Sequence, residues 1–323
     1  MPSQDHKKPL IVILGPTAVG KTEISLQLAE RLNGEIVSAD SRLFYRGMDI
    51  GTAKPSLAER SRIRHHLIDI VNPDENWNLA TYQQAAYEAI DDIHTRERLP
   101  FLVGGTGQFI RAVTEGWDIP EVEPRIDLRA VLENWAEQIG SQGLYDRLVV
   151  LDPASATRIE PQNLRRIIRA LEVILQTGKR FSSQRGLHGS KYEILLLGLN
   201  RPRPELYDRV DARIQAMLDT GLVSEVKFLL DAGYSPDLPP LSAIGYRQII
   251  AYLQGKISLE EAVVQMKRKT RRFVRSQANW FKLNDPEILW VQAGLDVADE
   301  MEKAIIQFLK NKSIPKKPEN HKN

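Results

Sequence analysis

The 323-residue chain contains no cysteine. That absence excludes disulfides, thiolate nucleophiles and cysteine-ligated zinc together, and it suits a reducing compartment. No apolar run approaches the length needed to cross a bilayer. The first, over residues 10–14, stops at a glycine loop, and the polar stretch before it is too short for a secretory leader. A cytoplasmic address, no membrane partner and a monomer are expected. A field of one sign is also missing: 44 Lys and Arg against 42 Asp and Glu leave a net charge of +2. Any polyanion must therefore be met by clustered charge rather than by the whole molecule. What is present is ordinary globular material, 42% hydrophobic and 27% charged, enough for one large core or two domains.

Short apolar runs alternate with helical periodicity. Residues 10–14, 35–38, 100–103 and 193–197 read as buried strands bounded by turn residues, with helical stretches such as 22–32 and 80–94 between them. Strands alternating with helices predict an α/β fold, a three-layer P-loop architecture around a parallel sheet. The middle differs. From about 118 to 183 there is no strand pattern, but Leu164, Ile167, Ile168, Leu171 and Ile174 keep helical spacing, leaving Arg165, Arg166 and Arg169 on the other surface. The expected organisation is a core over 8–117 and 186–310, a helical insertion over 118–185, and a disordered lysine-rich tail over 311–323. After the strand near 197 the chain is expected to be helical, ending in a helix over 259–282.

Gly15-Pro16-Thr17-Ala18-Val19-Gly20-Lys21-Thr22 fits the P-loop pattern, follows a predicted strand and opens a predicted helix. Glycines let backbone N–H groups approach phosphate oxygens; the helix N-terminus adds partial positive charge and Lys21 a full one. The Thr22 hydroxyl is a candidate Mg²⁺ ligand, the one cofactor expected. Loops of this nucleotide-binding type most often hold ATP or another triphosphate, but the cradle fits any diphosphate. Asp40 closes the second strand, where ligands of open α/β sheets sit. By position alone it is a general base, a magnesium ligand or a turn aspartate.

The run Asp40-Ser41-Arg42-Leu43-Phe44-Tyr45-Arg46-Gly47-Met48-Asp49-Ile50-Gly51-Thr52-Ala53-Lys54-Pro55 resembles the signature of tRNA dimethylallyltransferases, also called tRNA isopentenyltransferases. The resemblance continues through Leu102-Val-Gly-Gly-Thr106-Gly107, Arg165-Arg-Ile-Ile-Arg-Ala-Leu-Glu172, Gly245-Tyr-Arg-Gln248 and residues 270–280, covering roughly residues 8 to 292 in order. It implies that dimethylallyl diphosphate on residues 17–22 alkylates an adenine in a tRNA anticodon stem-loop. Asp40 would be the general base, with Thr106 and Arg213 contacting reacting phosphate oxygens or the nucleotide. Asp40, Ser41, Arg42, Leu43, Thr106, Arg129 and the segment holding Arg165, Arg166 and Arg169 would touch tRNA. The chain departs from the common pattern at Leu43 (often Gln), at Glu160-Pro-Gln-Asn163 (often His-Pro-Asn-Asp), at Gln108-Phe109 (usually Leu-Tyr) and at Arg64 (commonly Pro). A cysteine-free chain also lacks the zinc finger of many cytoplasmic eukaryotic relatives.

Several residues keep a plainer reading beside this one. Arg213 could pair with Asp208 and Glu205 on a surface, and Thr106 could simply close a turn. Lys267-Arg268-Lys269-Thr270-Arg271-Arg272-Phe273-Val274-Arg275 carries six cations and no acid. Arg268, Arg271, Arg272 and Arg275 recur at helical spacing, a basic stripe suited to RNA phosphates or to solvent alone. Phe273 and Trp280 could stack on bases or dock the helix. Other functions compatible with the motifs are a small-molecule kinase using the cradle for ATP, an RNA-binding module without chemistry, and a transferase acting on free adenylate. The insertion and the stripe favour tRNA.

Overall fold

The structure is a computed structural model that describes residues 7–313, apart from Glu121, Arg185, Leu187 and His188. The chain divides into two compact units, residues 1–114 with 190–323 and residues 115–189; the insertion was expected over 118–185.

In the first unit, β1 (Pro9–Leu14), α1 (Lys21–Arg31), β2 (Gly34–Ser38), α2 (Leu57–Arg62), β3 (His65–His66), α3 (Leu79–Thr95), β4 (Leu99–Gly104) and α4 (Gly107–Thr114) come first. The second unit supplies α5 (Ile126–Leu151), α6 (Pro153–Ala156) and α7 (Leu164–Thr177). The chain then returns to the first unit with β5 (Glu193–Asn200), α8 (Arg203–Asp219), α9 (Leu222–Asp231), α10 (Tyr246–Leu253), α11 (Leu259–Gln277), β6 (Ile288–Gln292) and α12 (Val297–Ser313).

The strands form one six-stranded sheet in the order β3-β2-β4-β1-β5-β6, every pair parallel. This is the α/β class expected from the alternation of strands and helices. Parallel strands covered by helices are buried on both faces, which is why β1 reads as an unbroken apolar run with Leu10 to Leu14 fully inaccessible. From β1 the chain builds one side of the sheet as far as β4, then crosses to β5 and β6 on the other. The reversal at β1 places a ligand crevice beyond its carboxyl end. β3 and β6 escape the sequence patterns because one is a pair of histidines and the other a short run of partly exposed residues. α12 likewise runs through Ser313, three residues into the segment read as tail; residues 314–323 lie outside the described part.

The second unit is helical, as its periodicity predicts. Ile167, Ile168 and Leu171 of α7 are buried with Leu132, Leu144 and Leu148 of α5, which breaks at Gly140 (φ 75°). Its most consequential polar group is Glu172, fully inaccessible at the end of the Arg165–Glu172 motif. The Glu172 carboxylate accepts from the Arg125 backbone N–H (2.9 Å), from Arg129 Nε and Nη2 (2.8 and 2.9 Å) and from Arg169 Nη1 (2.7 Å). Burial alone would raise its pKa, but the two guanidiniums and the N–H outweigh it and hold the carboxyl below its usual value. Replacing Glu172 by alanine strands these donors, and the expected cost is about 3 kcal/mol, the low end for breaking a buried ion pair because both arginines keep some water. Urea unfolding of the variant checks this. An unchanged midpoint would show that the arginines rehydrate freely.

Candidate active site

β1 is followed by Gly15, whose φ is 153° and where a Cβ would stand 2.6 Å from the Leu199 carbonyl of β5, so only glycine lets the chain turn off the sheet here. The loop then enters α1 through Gly20 at φ 113°, with Ala18 also in the left-handed region at φ 66°. The N–H groups of Ala18, Gly20, Lys21 and Thr22 have no acceptor within the described residues. They form a concave row of donors at a helix N-terminus, the geometry that binds phosphate oxygens. Thr17 is different, because its N–H is taken by Gln277 Oε1 at 2.9 Å. The Gln277 amide in turn donates to the Gly105 carbonyl at 3.0 Å, so one buried side chain from the end of α11 ties the phosphate loop to the turn after β4. Arg209 of α8 donates to the Ala18 carbonyl at 2.7 Å.

Lys21 folds over its own loop, its Nζ donating to the carbonyls of Gly15 (3.0 Å) and Pro16 (2.9 Å). Burial lowers its pKa to about 8; Asp40 opposes the shift and Arg213 adds to it. Arg213 is itself lowered by burial, with Asp40 again opposing. Those mutual influences bring Lys21, Asp40 and Arg213 into one electrostatic neighbourhood. Arg213 is half-buried on α8, its Nη2 donating to the Thr52 carbonyl at 3.1 Å. The surface pairing with Asp208 and Glu205 is not formed, and Glu205 pairs with Arg201 instead.

Asp40 stands half-buried just past β2. Its Oδ1 accepts the Arg42 N–H at 3.0 Å, an Asx turn that fixes the carboxylate and satisfies only one of its oxygens. A side chain at Gly104 would run into the Ala39 carbonyl, so the ends of β2 and β4 touch. This close approach puts Thr106 beside the signature segment, where its Oγ1 accepts the Ser41 N–H at 3.4 Å. Lys21, Thr22 and Asp40 share the wall of a cavity of ≈ 60 Å³ with Leu43, Ile36, Val103 and His65.

The remaining expected RNA-binding residues fall into two groups. Arg165 and Arg166 are exposed and without ion-pair partners among the described residues, whereas Arg129 and Arg169 are held by Glu172. On α11, Arg268 is exposed and has no ion-pair partner among the described residues. Arg271 bonds Asp211 at 2.7 Å and lies over the Tyr207 ring, and Arg275 donates to the Tyr207 hydroxyl at 3.1 Å. The stripe has no acid of its own, but α8 supplies one. Tyr207, Val264, Lys267, Arg268, Arg271 and Arg275 together line an open basic pocket of ≈ 440 Å³. Phe273 is exposed, while Trp280 docks against Gly107 at the start of α4.

A family model described as IPP transferase matches residues 43–284. The chain belongs to the tRNA dimethylallyltransferase family. The tRNA dimethylallyltransferase of Roseiflexus sp. (strain RS-1) is 53% identical over 92% of this chain and 96% of its own length. That of Dehalococcoides mccartyi is 46% identical over 94% and 92%. Among solved structures, the full-length tRNA isopentenylpyrophosphate transferase of Bacillus halodurans aligns with a TM-score of 0.71 at 42% identity, covering 95% of this chain and 98% of that one. A eukaryotic dimethylallyltransferase captured acting on tRNA aligns at 0.80 and 29% identity, covering 96% and 81%.

Neither Gln277 nor Arg209 stood out in the sequence as part of the family site. Both act through backbone partners far along the chain, and side-chain spacing carries no trace of such bonds.

Proposed function

We propose that this member of the family transfers a dimethylallyl group from dimethylallyl diphosphate to the exocyclic N6 of the adenosine 3′-adjacent to the anticodon in tRNA, releasing diphosphate. The observation that carries this reading is the juxtaposition of a half-satisfied carboxylate, Asp40, with two cations, Lys21 and Arg213, at the unpartnered donors of the phosphate loop.

The reaction forms an N–C bond as the allylic C–O bond breaks. An adenine amine is a weak nucleophile because its lone pair is conjugated with the ring, and it becomes acidic as the bond forms. Asp40 takes that proton. Charge developing on the leaving diphosphate meets the N–H groups of residues 18 and 20–22, Lys21 and Arg213. Thr106 positions Ser41 and faces the incoming nucleotide. No group of three or more acidic or histidine side chains that could cage a metal occurs among the described residues. Mg²⁺ would therefore be held by the Thr22 hydroxyl together with substrate oxygens and water, an arrangement this hard cation favours, and it would neutralise phosphate charge there.

The target base must leave its stack to reach Asp40. The exposed Arg165 and Arg166, with Arg129 and Arg169 beside Glu172, would contact the anticodon stem-loop from the helical unit. Arg268, Arg271 and Arg275 would do so from α11. Neutralising those three together is expected to weaken tRNA binding and to lower the log–log salt slope by about 0.7–0.9 for each phosphate that is no longer neutralised. Dimethylallyl diphosphate affinity should hardly change. Binding titrations at several salt concentrations check this, and identical slopes would mean that the stripe only faces solvent. The activity itself is tested by offering labelled dimethylallyl diphosphate with unmodified tRNA, AMP or ATP. Label in AMP alone would overturn the tRNA reading.

A further inference from the structure

The signature segment does not end at Leu43. Its second half, Asp49 to Pro55, carries no chemistry in the mechanism above, yet it is closely tethered to α9 and α10. Three consecutive backbone N–H groups, of Asp49, Ile50 and Gly51, converge on the Glu225 carboxylate of α9 at 2.9, 2.6 and 3.0 Å. The hydroxyl of Tyr246, a fully buried residue opening α10, donates to Glu225 Oε1 at 2.6 Å. Gly51 lies so close to the Tyr246 ring that a Cβ there would stand 2.5 Å from it. The loop's own side chains tighten it further: Thr52 Oγ1 donates to the Met48 carbonyl at 2.6 Å, and Lys54 Nζ to the Tyr45 carbonyl at 2.9 Å. All this fixes the carbonyl of the buried Thr52, which accepts from Arg213 Nη2 at 3.1 Å.

We propose that Glu225 and Tyr246 are positioning residues for the transfer reaction: they lock the Asp49–Pro55 loop so that the Thr52 carbonyl holds the Arg213 guanidinium toward the phosphate loop. A carboxylate suits this because it is acceptor-only and can receive several donors at once. A long arginine side chain has many rotamers, and one fixed acceptor selects among them before substrate arrives, so less ordering remains to be done in the transition state. The inference rests on Arg213 acting on the leaving diphosphate, as proposed above.

The test is a double-mutant cycle in the full-length enzyme. The readouts are the single-turnover rate of dimethylallyl transfer to tRNA, tRNA affinity, and thermal melting. Glu225→Gln places an amide NH₂ among backbone donors, and Tyr246→Phe removes one donor without changing the fold of the ring. Each is expected to slow transfer, Glu225→Gln by about ten- to a hundredfold, as a small misplacement of a reacting-site group can. tRNA affinity should stay unchanged. In an Arg213→Ala background neither substitution should slow the reaction further, because the residue it positions is gone. Multiplicative rate losses in that background, or full activity of both single variants, would overturn the positioning role while leaving Arg213 in the mechanism. A near-normal rate for Arg213→Ala would instead remove Arg213 from the reaction and the positioning role with it. Should Glu225→Gln fail to melt cooperatively, the Tyr246→Phe arm of the cycle decides alone.

Discussion

Replacing Asp40 by asparagine is expected to cut turnover by about 10²- to 10⁴-fold, the usual contribution of a positioned general base. Asparagine is the informative substitution here. Its side-chain oxygen can still accept the Arg42 N–H that Asp40 Oδ1 accepts, so the Asx turn leading to Ser41 and Arg42 survives while the proton acceptor is lost. Alanine would remove both, and a slow Asp40→Ala enzyme could reflect a collapsed turn. Dimethylallyl diphosphate and tRNA should bind the asparagine variant nearly as well as the parent. Single-turnover transfer, measured beside equilibrium binding of each substrate, separates the two effects. Turnover within a few-fold of the parent would mean that Asp40 is not the base and that the carboxylate serves the turn alone.

The second large effect is expected at Lys21. Lys21→Met keeps most of the aliphatic stem but removes the charge, and the loss should be about 10²- to 10³-fold in rate, comparable to deleting one preorganised donor to a developing oxyanion. Diphosphate affinity should fall as well, since the ground state already carries negative charge. The resting bonds of Lys21 sharpen the expectation. Its ammonium now sits on the Gly15 and Pro16 carbonyls, so it must swing toward the phosphates when substrate enters. The variant loses this counterweight too, and the loop carbonyls are left facing one another. Unchanged rate and affinity would show that the prenyl diphosphate does not lie on the phosphate loop.

The sequence was most readable where chemistry is local. The phosphate loop announces itself because glycine spacing, strand and helix must all coincide within a few residues; β1, β2 and β4 announce themselves because near-complete burial demands apolar runs, and β5 because its partly to fully buried residues 194–199 do the same. Asp40 was visible from strand-end logic, although whether it acts as base or turn former was not. The Asx turn shows that the turn role is real and leaves an oxygen over. The edge strands β3 and β6 were invisible because they are short and only partly buried. Arg213 shows the other limit. Helical spacing put it beside acids on α8, but its bond goes to a carbonyl 161 positions away. The cations of the helical unit look alike in sequence; only the burial of Glu172 divides Arg129 and Arg169, which it holds, from Arg165 and Arg166, which it leaves free.

The staple between Thr17 and Gln277 has a consequence for how the enzyme is made. The two residues are 260 positions apart. At ordinary rates of protein synthesis the ribosome needs roughly 10–50 s to travel from one to the other. During that interval the phosphate loop has already been made, but the glutamine that tethers its third residue does not yet exist. Arg209 and Arg213 are also made only after the whole helical unit. The nascent chain therefore carries a glycine-rich loop long before it carries a site, and commitment to substrate comes only with the last third of translation.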